Sequence, residues 1–249
     1  MNQFDAWATP AARNAATPKN DENSDDSDEK EQISPNQWME KHAGQPLHIG
    51  GDSMSGKWGI GIPDAEFIRG KVPMTKQEIR ILTIAKAGIK TGDMVLDVGA
   101  GTGSLSCEAA MQAGADGMVY AIERNPEGIG LIEANAEKFG LDNIQIIHAE
   151  APDGMEELPR LDAVLIGGSG KRLEPILDRA GELLKAGGRI VLNCITVQTL
   201  MQCLNYMRAS ELYEYETVQV QVNRWEQVGS YDMAKAANPI FIVACKKIK

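Results

Sequence analysis

Cysteine, histidine and aromatic residues are scarce in this chain of 249 residues, which has 4 Cys, 3 His and 5% aromatic side chains. The cysteines lie far apart and form no CxxC pair, which favours reduced, buried thiols over a disulfide framework or a zinc site. No stretch approaches the roughly 18 consecutive apolar residues that a membrane helix needs. The N-terminal stretch also lacks the apolar core of a secretory signal, so we expect a cytoplasmic protein with no membrane partner.

Positive charge is in deficit as well, since 25 basic residues face 35 acidic ones and the formal net charge is −10. This balance argues against a nucleic-acid partner. Residues 1–57 contain the densest acidic run and few aliphatic side chains, so we predict a disordered acidic extension before a domain that spans residues 58–249. His42, His48 and Asp52 are residue types that bind first-row metals, but their spacing matches no metal motif, and we expect no metal site.

Beyond residue 57, short apolar strand patterns alternate with helical patterns. Continuous apolar strands separated by helices predict a mostly parallel sheet covered on both faces, the doubly wound α/β architecture. The last two strand patterns have no convincing helix between them, which predicts an antiparallel pair at one edge. In the first helical pattern Thr75 and Glu78 have capping-box spacing and Gly88 is a stop signal. In the third helical pattern, PEGIGLIEANAEKFG, Gly140 is the predicted C-cap. The predicted strands are MVLDV, MVYAIE, IQIIHA, AVLIGG, RIVLNCI, LYEYETVQVQV and PIFIVACKK.

A glycine loop, DVGAGTG at residues 97–103, follows the first predicted strand and opens a helix. In a doubly wound sheet, the first turn from strand to helix lies at the ligand crevice. Glycines let the backbone approach a ligand closely, and the N–H groups at the start of the helix attract an anion. The loop alone is compatible with nicotinamide dinucleotides, flavins or S-adenosylmethionine.

Acidic residues beside the loop separate these cofactors. A dinucleotide fingerprint has Gly or Ala where this chain has Ser104, and Asp97 places a carboxylate where it would repel a diphosphate. S-adenosylmethionine has no phosphate and carries an ammonium and a sulfonium, so we predict it as the cofactor. Glu123, at the end of the second strand, is suited to accept hydrogen bonds from the ribose hydroxyls. Ala151, after the third strand, is placed to hold the adenine through backbone groups.

The chain resembles the decarboxylating precorrin-6B or cobalt-precorrin-6B C15-methyltransferases of cobalamin biosynthesis. The likeness runs from about Trp58 to Lys247. It rests on segments that occur in the family's order: GIPDAEFIRGKVPMTKQEIR, LDVGAGTGS, YAIERNPEGIGLI, AEAPDGM, IGGSGKRLEPIL and NPIFIVACK. The glycine loop is common to class I methyltransferases, whereas GIPDAEF, RNPE and GGSG are more specific. The resemblance implies the class I S-adenosylmethionine-dependent methyltransferase fold.

The resemblance also implies an activity and a set of cofactor contacts. The reaction is methylation of carbon 15 of a precorrin macrocycle, coupled to decarboxylation of the ring C acetate at carbon 12. The implied assembly is a homotetramer, with a separate carbon 5 methyltransferase as its functional neighbour. The predicted cofactor-binding residues are Thr75, Asp97, Gly99, Ala100, Gly101, Thr102, Gly103, Glu123 and Ala151.

A precorrin carries many carboxylates, so the substrate pocket should contain cations. The conjugated macrocycle itself takes up electrons, so the protein mainly positions two reactants, and we expect neither a Ser-His-Asp triad nor a metal. The candidate cations are Arg69, Lys71, Lys76 and Arg80 around the first helix, and Lys171 and Arg172 after the fourth strand. The candidate catalytic and substrate-shaping residues are Asp64, Arg69, Ser169, Asn193 and Asn238.

Three other functions remain open. A class I methyltransferase acting on protein or RNA would transfer a methyl group without releasing carbon dioxide, and an RNA acceptor would call for a basic surface. A non-catalytic tetrapyrrole-binding protein would bind pigment without consuming the cofactor. Asp97 and Ser104 disfavour the third alternative, an NAD-dependent oxidoreductase.

Overall fold

The sheet and its flanking helices are seen in a computed structural model that describes residues 59–249. The extension predicted at residues 1–57, with His42, His48 and Asp52, lies outside the described residues. Its disorder and the domain boundary therefore stay predictions.

Helices and strands alternate as the sequence patterns predict, and their bounds follow in two groups. The helices of the described residues are α1 (Gln77–Ala87), α2 (Ser104–Ala113), α3 (Pro126–Phe139), α4 (Leu173–Leu183) and α5 (Val197–Ala209). The strands are β1 (Met94–Val98), β2 (Met118–Glu123), β3 (Ile144–His148), β4 (Leu161–Ile166), β5 (Leu184–Cys194), β6 (Tyr213–Val220), β7 (Asn223–Val228), β8 (Tyr231–Ala236) and β9 (Ile240–Lys247).

Seven strands form one sheet in the order β3-β2-β1-β4-β5-β9-β6. The first five in that order are parallel, and β9 runs antiparallel to both β5 and β6. The predicted parallel sheet with an antiparallel C-terminal pair is confirmed. Strand order reverses between β1 and β4, and ligands of doubly wound sheets bind at such a reversal, beyond the carboxyl ends of the strands.

Continuous apolar strands place the core on both faces of the sheet. Leu96 and its neighbours pack with α4 and α5 on one face, whereas Val95 and Leu165 pack with α1 and α2 on the other. All four cysteines are buried and free, which confirms the expected reduced thiols. Among residues 59–249, none of the helices has the length and apolarity required to cross a membrane.

The predicted helix stops are confirmed, but the predicted cap of α1 is wrong. Gly88 and Gly140 end α1 and α3 in the left-handed conformation. Thr75 does not cap α1: the N-cap is Lys76, and no side chain of a capping box bonds there. Asp64 does this work instead, since its Oδ1 accepts the N–H of Gln77 at 2.9 Å.

Strands β7 and β8 form a separate antiparallel hairpin that the strand patterns did not predict. Every residue of the two strands is exposed, so their sequences lack the alternating apolar pattern that would predict a half-buried strand. Gly229 at the tip has φ of 64°, and the pair Gly229–Ser230 is a known hairpin-turn signal. Arg224 ties the hairpin to α1 through a 2.6 Å contact with Glu78.

Candidate active site

A cavity of about 490 Å³ opens at the carboxyl ends of the parallel strands. Its walls are the turns after β1, β2, β3 and β4, the end of β5, and the chain that precedes α1. Small-molecule sites typically measure about 300–1,000 Å³, so the cavity suits one cofactor and part of a second molecule. It lies where the reversal of strand order predicts a ligand.

The glycine loop between β1 and α2 forms the floor of this cavity. Gly99, Gly101 and Gly103 have φ of 70°, 59° and 74°, a region that L side chains rarely adopt. A Cβ on Gly99 would lie 2.6 Å from the carbonyl oxygen of Gly168, so the turns after β1 and β4 touch through backbone alone. The N–H groups of Gly99 and Ala100 both donate to the carbonyl of Ile122, at 2.9 and 3.1 Å. The loop is therefore fastened to β2.

Glu123 is locked against the same loop. Its Oε2 accepts the N–H of Gly101 at 2.8 Å and its Oε1 accepts the N–H of Asn125 at 2.8 Å. A Cβ on Gly128, in the first turn of α3, would lie 2.7 Å from Cγ of Glu123, so only glycine leaves room for this carboxylate. The loop N–H of Gly101 is thus already taken by an anion of the protein, which opposes a diphosphate at this position and leaves acceptor lone pairs for hydroxyl groups.

The first turn of α2 has no side chain to cap it. Its N-cap is Gly103, and no side chain within residues 59–249 makes a capping hydrogen bond there. The orphan N–H groups at such a helix start, together with the helix dipole, favour a carboxylate. Leu105 of this turn lines the cavity, so a ligand carboxylate can reach it.

Asp97 lies behind the loop rather than on the cavity wall. The residue is fully buried, and its Oδ2 accepts a 2.6 Å hydrogen bond from Ser106 while Oδ1 has no partner among the described residues. Burial raises the pKa of Asp97 to about 6; the Ser106 hydroxyl opposes this rise, and the charge of Glu123 adds to it. A buried, unpaired carboxylate oxygen is costly, and a cation in the cavity would reduce that cost.

The segment of residues 61–76, here called the strap, closes one side of the cavity. Its carbonyl at Pro73 would lie 2.9 Å from a Cβ on Gly101, so strap and glycine loop are in backbone contact. Arg80 anchors the strap: it is fully buried, and it binds Asp64 at 2.8 Å and Glu108 at 2.9 Å. Glu108 in turn accepts the N–H groups of residues 61 and 62 at 3.0 and 3.1 Å.

Arg80 was expected to face the substrate, and that prediction is wrong. Its guanidinium donates hydrogen bonds to Asp64, to Glu108 and to carbonyls of the strap. Its Cζ also lies 4.6 Å from the ring centre of Phe67. Asp64 belongs to the same cluster, so its carboxylate supports the strap. The helical spacing of Arg80 with the buried Ile79, Thr83 and Ile84 side chains was the available signal of burial.

The structure brings most of the predicted site residues together. Those that line the cavity are Thr75, Gly99, Ala100, Gly101, Glu123, Ala151, Ser169 and Asn193. Thr102 and Gly103 are buried within the loop but do not line the cavity, and Arg69 and Asn238 are exposed residues outside its lining. Gly128 and the buried Thr83, which bonds Asn193, are contributors that the sequence patterns did not single out.

No cluster of three or more metal-ligating side chains occurs within residues 59–249. The parallel sheet, the reversed last strand, the uncapped glycine loop and the acid at the tip of β2 define a class I S-adenosylmethionine-dependent methyltransferase. The chain belongs to the precorrin methyltransferase family, since that domain model matches residues 66–247.

The chain aligns with nearly the whole length of its named relatives. A probable cobalt-precorrin-6B C(15)-methyltransferase (decarboxylating) of Sulfolobus acidocaldarius is 43% identical over 75% of this chain and 97% of its own. The cobalt-precorrin-6B C(15)-methyltransferase (decarboxylating) of Salmonella typhimurium is 38% identical over 74% and 95%. Among solved structures, a precorrin-6y C5,15-methyltransferase from Geobacter metallireducens has TM-score 0.71 and 38% identity, covering 76% of this chain and 98% of that one.

Proposed function

We propose that this protein is the decarboxylating C15-methyltransferase that acts on precorrin-6B or cobalt-precorrin-6B in cobalamin biosynthesis. The names of the relatives support this assignment, and this chain aligns with 97% and 95% of the lengths of the two relatives named above. The observation in the structure that carries the proposal is Glu123, whose carboxylate holds the glycine loop at Gly101 and borders the cavity. That arrangement favours a cofactor that lacks phosphate.

The residues present fit S-adenosylmethionine. When bound, this cofactor supplies an electrophilic methyl group. Glu123 accepts hydrogen bonds from ribose hydroxyls, the uncapped start of α2 receives the cofactor carboxylate, and Asp97 offsets positive charge through the loop. Ala151, 6% exposed at the turn after β3, supplies an apolar wall and backbone groups to the adenine.

The proposed substrate residues lie after β4 and at the end of β5, on the other side of β1 from Glu123 and Ala151. Ser169 and Asn193 line the cavity there, together with the exposed side chain of Ile195. The role of these residues is to hold the macrocycle against the cofactor, since its own conjugation absorbs the electrons that decarboxylation releases. Arg69 and Asn238, outside the cavity lining, remain candidates only for the outer parts of a substrate larger than the cavity.

The test is a mass measurement. The protein is incubated with S-adenosylmethionine labelled in its methyl group and with precorrin-6B, and the product is analysed. Gain of the label together with loss of carbon dioxide supports the proposal. Gain of the label alone supports a methyltransferase of another kind, and pigment binding without consumption of the cofactor supports a carrier protein.

We further propose a homotetramer in the cytoplasm that works beside a separate carbon 5 methyltransferase. The β7–β8 hairpin supports self-association, since it exposes Trp225 by 72% and Tyr231 by 74%. Among the described residues no further strand pairs with either of its edges. Buried reduced thiols suit a reducing compartment. Residues 1–57 are proposed as an extension outside the catalytic domain.

A further inference from the structure

A second cavity, of about 250 Å³, adjoins the first at the carboxyl ends of β4 and β5. The two cavities share residues 167–170, Asn193 and Ile195. The smaller volume lies below the range typical of whole ligands, about 300–1,000 Å³, so this side cavity suits one substituent of a larger molecule. Its position extends the substrate wall away from the glycine loop.

The lining of the side cavity is suited to an anion. Lys171, Ser169, Thr196 and Thr199 line it, and none of its lining residues, all within the described part of the chain, is acidic. The start of α5 also faces this end of the sheet, and its N-cap Thr196 accepts the N–H of Thr199 at 3.2 Å. A helix start adds partial positive charge.

Lys171 differs from its neighbour Arg172 in what it contacts. Arg172 pairs with Asp153 at 3.0 Å and also donates to the carbonyl of Glu150. The Glu150 carboxylate is in turn paired with Arg124 at 2.7 Å. Both acids near this turn are therefore neutralised by arginines, and Lys171 has no carboxylate within 4.0 Å in residues 59–249.

Asn193 supplies an independent sign of a ligand at the junction of the two cavities. The hydroxyl of Thr83, a fully buried residue of α1, shares its one proton between the Ile79 carbonyl at 2.7 Å and Asn193 Oδ1 at 3.0 Å. The Nδ2 of Asn193 is buried and has no hydrogen-bond partner among the described residues. A buried donor without an acceptor is unfavourable, so an acceptor from outside the protein is expected there.

We propose that the side cavity binds a carboxylate substituent of the substrate, with Lys171 providing the charge and Asn193 Nδ2 a hydrogen bond that Thr83 orients. The inference rests on the proposed function, because the substrate it describes is a tetrapyrrole with acetate and propionate arms. It assigns Lys171 to substrate binding and Thr83 to positioning. Arg172 is left with a structural role.

The experiment compares Lys171→Met with Lys90→Met, an equal loss of charge at an exposed lysine outside both cavities. Two quantities are measured: KM for precorrin-6B, and the dissociation constant of uroporphyrin, a tetrapyrrole with acetate and propionate arms, by fluorescence quenching. Lys171→Met should raise both about ten- to hundredfold, the loss expected for one charge-assisted bond. Lys171→Arg should restore them, and the affinity for S-adenosylmethionine, measured by calorimetry, should not change.

Asn193 and Thr83 are tested in the same assays. Asn193→Asp should impair binding more than Asn193→Ala, because it turns the donor toward the substrate carboxylate into a second negative charge. Thr83→Val should raise KM more than it changes kcat, and Thr83→Ser should restore it. Equal effects of the Asp and Ala variants would contradict the donor role.

The outcomes separate the two proposals. If wild-type protein converts precorrin-6B but Lys171→Met behaves like Lys90→Met, the carboxylate subsite is wrong and the proposed function stands. If wild-type protein fails to convert precorrin-6B while uroporphyrin binding still depends on Lys171, the proposed function is wrong and the subsite stands.

Discussion

Replacing Asp97 by Asn should remove a pH-dependent loss of stability from the protein in the absence of cofactor. Burial raises the pKa of Asp97 from 3.8 to about 6. The folded state therefore holds this proton more tightly than the unfolded chain does, so stability is lost as pH rises from about 4 to about 6 and stays lower above that range. At about 1.4 kcal/mol per tenfold change in proton affinity, the ionised group costs roughly 3 kcal/mol at pH 8 and about half of that at pH 5.

The assay is urea denaturation of wild type and Asp97→Asn at pH 5 and pH 8. The asparagine oxygen can still accept from Ser106, which bonds Asp97 at 2.6 Å, but its NH2 group takes the place of the unpartnered Oδ1. The change of the stability difference with pH, rather than its size at one pH, therefore reports the buried charge. The stability of the variant relative to wild type should increase by about 1.5 kcal/mol between pH 5 and pH 8. Asp142→Asn, at an exposed aspartate, is the matched control and should show no gap that changes with pH.

A second measurement connects this cost to function. A cationic cofactor should recover part of the cost in the wild type, so saturating S-adenosylmethionine should raise the melting temperature of the wild type more than that of Asp97→Asn. The reasoning is refuted if the stability difference between variant and wild type is the same at both pH values.

The remaining predictions concern the cofactor wall, the strap and the hairpin. Glu123→Gln and Gly128→Ala should each weaken S-adenosylmethionine binding about tenfold or more, as measured by calorimetry. In Glu123→Gln an amide nitrogen cannot accept a backbone N–H, and in Gly128→Ala the new Cβ would lie 2.7 Å from Glu123 Cγ. Unchanged affinity in both variants would contradict the role of Glu123 in cofactor binding. Arg80→Met should lower the free energy of unfolding, measured by urea denaturation, by about 3–5 kcal/mol, because it leaves the Glu108 carboxylate buried without its cation. Adding Glu108→Gln should recover part of that loss, and no recovery would argue against the ion pair. Trp225→Ser should shift the assembly to smaller species in sedimentation, and an identical profile would exclude the hairpin from the subunit interface.

The parts predicted from sequence are those with a local cause. Apolar strands and glycine stops placed β1 to β5 and the ends of α1 and α3, because strand burial and left-handed caps depend on adjacent residues. The predicted cap of α1 was wrong because the residue that accepts the Gln77 N–H is Asp64, which lies 13 positions upstream. The strap brings Asp64 to the start of the helix. The prediction for Arg80 was wrong for a similar reason: its charge suggested the substrate pocket, whereas its partners Asp64 and Glu108 come from two other segments.

Around the proposed cofactor site, the spacing of the glycines could be predicted from the sequence, whereas the contacts between the segments could not. Pro73 of the strap approaches the space of a Cβ at Gly101, and the Gly101 carbonyl lies 2.9 Å from the Cβ position of Gly128. Strap, loop and α3 therefore meet through backbone atoms where each glycine removes a side chain, and Glu123 bonds the loop between them. Because packed interiors transmit displacement, a change that loosens the strap at Arg80 should also weaken cofactor binding, although Arg80 lies outside the cavity lining. Loss of stability in Arg80→Met without any loss of cofactor affinity at a temperature where the variant stays folded would show that the strap and the loop are not coupled.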